Sequence, residues 1–235
     1  MQLQNLTRSA KEKMPTRNEP LSKKRAGFVF VVPRLFSRHM DGVGPAWLPA
    51  TSATWQETLL YMLINVVVRA LVWVLPVFIY LRYVNGVSPT RYLKLREHWR
   101  GGLLAALVFS IFNFLFFVAQ HGLPQFHTGG ITWNSVLSTT FLIGFIEEVP
   151  YRGFIFQQLN EWFSFSEAAV ISSLLFVTIH LPGWLSLHLF RTQSVIFIFV
   201  FGMLMVSLLR YSKSLWAPIV SHSLNDFFSV VLFRI

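Results

Sequence analysis

The chain has 235 residues, of which 54% are hydrophobic and only 13% charged, with 24 Phe and a mean hydropathy of +0.52. Soluble domains are about 25% charged, so a chain with so little polar skin is excluded from water and assigned to a bilayer. Twenty Lys and Arg stand against ten Asp and Glu, a formal charge of +10; in an apolar chain this excess marks segments held near anionic membrane lipids, and no nucleic-acid partner is expected.

Residues 1–40 carry nine basic residues against Glu12 and Glu19, the composition of a disordered or headgroup-bound tail. The apolar stretch 26–32 ends at Pro33 and Arg34 without a small-residue cleavage site, which argues against a signal peptide. Residues 41–57, rich in Gly, Pro, Ser and Thr, read as a linker. Apolar runs follow at about 58–81, 101–119, 132–154, 167–187, 194–210 and 214–233, each to be compared with the roughly 20 residues that cross hydrocarbon. Only helices and closed barrels satisfy their backbone in lipid, and runs this long and continuous predict an all-α bundle of about six transmembrane helices over 58–235. The fourth run blurs at 181–186, where Pro182 and Gly183 suggest a bend or a re-entrant stretch. The 82–100 loop holds Arg82, Arg91, Lys94, Arg96 and Arg100, whereas 119–134 holds no Lys or Arg. The first loop is therefore expected in the cytoplasm. Alternation then places the basic tail outside, against its own charge, although 41–57 next to the first span holds no Lys or Arg.

An ionised side chain at mid-bilayer costs about 2.5–3.5 kcal/mol, so Arg69, Glu147, Glu148, Arg152, His180, His222 and Asp226, all inside apolar runs, need a reason to be there. Six of the seven fall into three clusters. In the first, Glu148 and Arg152 are four apart and share a helix face, where they neutralise each other; Glu147 is turned about 100° away without a local partner. Two adjacent carboxylates resist carrying two charges, and a glutamate that exchanges a proton in a dry site is what general base catalysis requires. Pro150 should kink this helix and open room beside the acids. An ion-paired structural patch accounts for Glu148 and Arg152 but not for Glu147. The second cluster is Phe176 and His180, one turn apart on one face; the third is His222, Asn225 and Asp226. Each of these two reads equally well as an interhelical polar contact.

Together, Glu-Glu-x-x-x-Arg at 147–152, Phe-x-x-x-His at 176–180 and His-x-x-Asn-Asp at 222–226, on three hydrophobic helices, resemble the CPBP intramembrane proteases. That family includes the CAAX prenyl endopeptidases of the Rce1 type and the bacterial Abi and bacteriocin-immunity proteins, and the resemblance covers about residues 100–233. It implies a helical membrane fold whose polar residues converge on an intramembrane cavity, and peptide-bond hydrolysis as the activity. On this sequence it implies that Glu147 with His180 activates the attacking water, that Glu148 and Arg152 form a supporting ion pair, and that His222 with an Asx residue binds the oxyanion. The chain departs from the eukaryotic pattern in having Asp226 where Asn is usual. An ionised carboxylate cannot donate to an oxyanion, so the expectation is that Asp226 orients His222, holding its proton, while Asn225 supplies the donor.

Glu147, His180 and His222 would serve as ligands if zinc were the cofactor. No His-Glu-x-x-His pair fixes two ligands on one helix, and the chain lacks Cys altogether, so a metal-free, glutamate-activated water is the favoured expectation. The expected substrate is a peptide or a prenylated protein, and the expected location is the cell membrane of a prokaryote. A non-catalytic immunity or peptide-binding factor is the alternative. A small transporter is a weaker one, since no repeat symmetry or paired broken helices occur. Arg69 has no assignment; His121, His127 and His188 fall in loops.

Overall fold

The computed structural model describes residues 59–124 and 133–233; the expected tail at 1–40, the linker at 41–57 and His127 lie outside them. The described residues are helical and contain no strand. Helix α1 (59–84) alternates ordinary turns with wider i→i+5 turns at Ala70–Val74 and Tyr80–Val84. A short helix α2 (Pro89–Tyr92) follows, then α3 (Trp99–His121), α4 (134–160), α5 (Phe165–Ser186), α6 (Thr192–Ser212) and α7 (216–233).

Four stretches are long and apolar enough to cross a membrane, Met62–Val84, Trp99–His121, Phe165–Ser186 and Thr192–Ser212. The chain is an integral membrane protein with a helical bundle, and among the described residues four such spans, not six, are found. The remaining two, α4 and α7, carry Glu147, Glu148, Arg152, His222 and Asp226, which interrupt the apolar runs expected there. At 181–186, where a bend or a re-entrant stretch was expected, helix α5 continues with Pro182 inside it.

The lipid face is written as a period of four. On α1, Leu59, Leu63, Val67, Leu71, Leu75 and Ile79 are exposed, whereas Met62, Val74, Val77 and Leu81 are buried. On α3, Leu104, Leu107, Val108, Ile111, Phe112 and Leu115 face outward, and the inward stripe is Gly102, Ala106, Ser110 and Phe117. Small residues at an interhelical seam let backbones approach, which is how helices associate where lipid supplies no hydrophobic drive. A Cβ on Gly102 would stand 2.7 Å from Ser214 Cβ, just before α7. Gly144 does the same between α4 and α7, where an added Cβ would lie 2.6 Å from the Ile219 carbonyl oxygen.

The connection at 85–98 is docked on the helix ends. Lys94 O accepts from Leu215 N at 3.1 Å, and Leu95 O from the Trp216 indole N–H at 2.9 Å. Tyr92 donates its hydroxyl to Glu161 at 3.0 Å; burial and then that carboxylate push the Tyr92 hydroxyl above its ordinary range. Burial also holds the Lys94 ammonium below its usual range, with Lys213 acting in the same sense and Glu97 against it.

Candidate active site

Pro150 lacks an N–H and cannot close an ordinary helical turn. The chain from Val149 to Ile155 takes up wider turns, ending with Phe156 N–H on Tyr151 O. Such widened turns concentrate at functional sites. Around this one, Glu148 is fully buried and Arg152 is 1% exposed. Arg152 Nη1 donates to Glu148 Oε1 at 3.0 Å, and its guanidinium carbon lies 3.9 Å over the Phe176 ring. The ion pair sits against an aromatic face rather than in water, which strengthens both contacts.

Helix α7 delivers His222 to the same carboxylate. The Gly144 contact draws α4 and α7 together one turn before Glu148, and His222 Nδ1 donates to Glu148 Oε1 at 2.7 Å. The imidazole therefore has two unlike edges. Its Nδ1 edge is sealed against Glu148, while Nε2 points to Asp226 Oδ2 at 3.5 Å and Glu147 Oε2 at 3.9 Å. Those last two side chains are the open ones, 23% and 17% exposed. Phe176 and Phe201 approach the His222 ring edge-on, with centroids at 6.0 and 5.2 Å.

Asn225 donates from Nδ2 to Asp226 Oδ1 at 3.2 Å and accepts on Oδ1 from Asn113 Nδ2 at 3.1 Å. Six of the sequence-selected residues, Glu147, Glu148, Arg152, His222, Asn225 and Asp226, thus share one connected cluster. His180 stands at its edge: its Nδ1 lies 2.9 Å from the Phe176 carbonyl, its ring 5.0 Å from Phe176 and 5.6 Å from Trp184. Among the described residues no hydrogen bond or ion pair joins it to Glu147. Glu148 Oε2 and Arg152 Nη2 are buried without hydrogen-bond partners among the described residues, as is Ser173 Oγ nearby. Arg69 has no ion-pair partner there either.

Among the described residues no group of three or more His, Asp and Glu is set to hold a metal ion. Nδ1 of His222 is bonded to Glu148 and Nδ1 of His180 lies against the Phe176 carbonyl, which leaves Nε2 as the free edge of both rings. The expected ligands Glu147, His180 and His222 do not form such a group among the described residues.

Fold and site define a helical membrane protein with a buried carboxylate, histidine and arginine cluster formed between α4 and α7. Residues 129–228 match the family model described as type II CAAX prenyl endopeptidase, Rce1-like. The match takes in α4 to α7 up to Phe228 and leaves α3 outside. No curated protein and no solved structure matches the chain.

Sequence reasoning missed Asn113. A single Asn in an apolar run carries no pattern; its signal was the register, three residues after Ser110 and four before Phe117 on the inward stripe of α3.

Proposed function

We propose that the protein is an intramembrane endopeptidase that hydrolyses a peptide bond with a glutamate-activated water. The observation that carries this reading is the two-edged seat of His222, tied to Glu148 at 2.7 Å on one side and open to Glu147 and Asp226 on the other. With His222 as imidazolium, Arg152 and His222 bring two positive charges against three carboxylates. Taking one proton from water neutralises one of the three carboxylates, while the negative charge passes through the attacking oxygen to the oxygen of the scissile carbonyl. Glu147 is the carboxylate without a hydrogen bond to hold its charge in place, so it is the base.

His180 assists. A carbonyl oxygen only accepts, so Nδ1 carries the proton toward Phe176 O and the neutral ring keeps its lone pair on Nε2. That lone pair and Glu147 accept hydrogen bonds from the two hydrogens of one water; Glu147 takes one proton as the oxygen attacks the scissile carbonyl and returns it to the amine that leaves. The Nε2–H of His222 and the amide of Asn225 then face the oxygen of the scissile carbonyl as it becomes negative, and donors placed in advance are worth most there. Asp226 holds both, at 3.5 Å from His222 and 3.2 Å from Asn225. Glu148 and Arg152 fix the imidazole from behind.

The substrate class is a peptide or a prenylated protein reaching the site from the membrane, with the basic 82–100 loop on the cytoplasmic side. The test is incubation of the purified protein in lipid vesicles with a prenylated CAAX peptide and its unprenylated counterpart, with new peptide termini read by mass spectrometry. Cleavage of either supports the enzyme, and preference for the first assigns it to prenylated substrates. Binding without cleavage overturns the enzyme in favour of a peptide-binding factor.

A further inference from the structure

The inward stripe of α3 continues from Gly102, Ala106 and Ser110 through Asn113 to Phe117. Below Asn113, Phe114 and Phe117 clasp Phe228 of α7 at ring distances of 5.4 and 6.1 Å. Asn113 is half-buried between a small-residue seam and an aromatic one, and its bond to Asn225 joins residues 112 apart.

The direction of that bond follows from its far end. Asp226 offers only acceptors as a carboxylate, so the amide nitrogen of Asn225 must face Asp226 Oδ1, and its carbonyl oxygen must face away, toward Asn113. Asn113 is then the donor, at 3.1 Å. Asn225 is 6% exposed, so its carboxamide cannot exchange either partner for water at little cost. An amide nitrogen carries two hydrogens. One is committed to Asp226, and the other is left for a ligand on the open side of the cluster. Without the bond from Asn113, the carbonyl of Asn225 loses its partner, and the carboxamide gains an alternative orientation that turns an acceptor toward a developing anion.

We propose that Asn113 is a positioning residue that locks the Asn225 carboxamide with its free N–H toward the substrate oxyanion. It lies on α3, outside the residues matched to the protease family. The inference rests on the proteolytic reading of the site and adds a third helix to it, making the donor geometry depend on how α3 packs against α7.

The test is a double-mutant cycle in the full chain in vesicles, with the peptide that the unsubstituted protein cleaves: Asn113→Leu, Asn225→Leu and the pair. Asn225→Leu should lower kcat by about 100-fold, as loss of one oxyanion donor does. Asn113→Leu should lower kcat by about 10-fold with KM little changed, and should add nothing to Asn225→Leu. Asn113→Ser, which extends the small-residue stripe but is too short to reach Asn225, should reproduce that loss and so separates it from any misfolding caused by Leu. Unchanged kcat in both Asn113 variants, or equal losses in the presence and absence of Asn225, would overturn the inference while leaving the protease intact. Absence of cleavage by the unsubstituted protein removes the proteolytic reading and this inference together, a pattern distinct from the other two.

Discussion

His222 of α7 and Glu148 of α4, 74 residues apart, are joined by a 2.7 Å hydrogen bond that also shares its acceptor oxygen with Arg152 at 3.0 Å. One oxygen of a fully buried carboxylate therefore serves two partners. Removing a single member of such a buried set leaves a charge uncompensated.

Arg152→Met accordingly strands Glu148, and the expected cost is about 3–5 kcal/mol of stability, since breaking a buried pair costs far more than replacing it whole. Arg152→Met combined with Glu148→Gln should recover most of the thermal midpoint but none of the turnover, because the anchor of His222 has lost its charge. Thermal unfolding in detergent, read beside peptide cleavage, checks both.

The close approach at Gly144 sets the distance between Glu148 and His222. Gly144→Ala puts a methyl against the Ile219 carbonyl, which is backbone and cannot rotate away. Overpacking of this kind costs about 1–3 kcal/mol, and the opened seam should reduce turnover further than stability alone explains. Gly101→Ala is the control, since nothing lies within 4 Å of an added Cβ there; it should be neutral or stabilise α3 by up to about 1 kcal/mol. Unfolding midpoints and turnover for the two variants provide the comparison.

Asn225 and Asp226 differ in their assigned tasks. Asn225→Ala should depress kcat by about 100-fold through loss of the donor. Asp226→Asn should retain more activity than Asp226→Ala, because the amide oxygen still accepts from His222. Full activity of Asn225→Ala beside an inactive Asp226→Ala would move the donor role away from Asn225.

Chelation tests the water-activation step. The proposed mechanism predicts that turnover survives treatment with a strong chelator and that metal analysis of purified protein finds no stoichiometric zinc. Stoichiometric zinc, lost together with activity and restored with it, would contradict a glutamate-activated water acting alone.

The sequence carried some of these relationships and hid others for physical reasons. The pairing of Glu148 with Arg152 is local, one helical turn, and is readable from a spacing of four. The lipid-facing period on α1 and α3 is readable for the same reason. The contact of His222 with Glu148 depends on how two distant helices approach, which Gly144 decides and no spacing reveals. Pro150 suggests a kink, and the chain there takes up widened turns between Val149 and Ile155 that the spacing alone does not reveal. Six apolar runs suggested six spans, yet the two that hold the polar cluster are diluted by it. His180 bonds the Phe176 carbonyl one turn back through Nδ1, a local contact that the spacing of four allows, and Nε2 is left as its free edge.

The central claim is that Glu147 is the base. Its most direct test is cleavage of the prenylated and unprenylated peptides by the unsubstituted protein and by Glu147→Gln, which keeps the side chain's shape and removes its basicity. The account predicts a loss in kcat of about 10²–10⁴-fold with an unchanged unfolding midpoint. Equal turnover by the two proteins would contradict it.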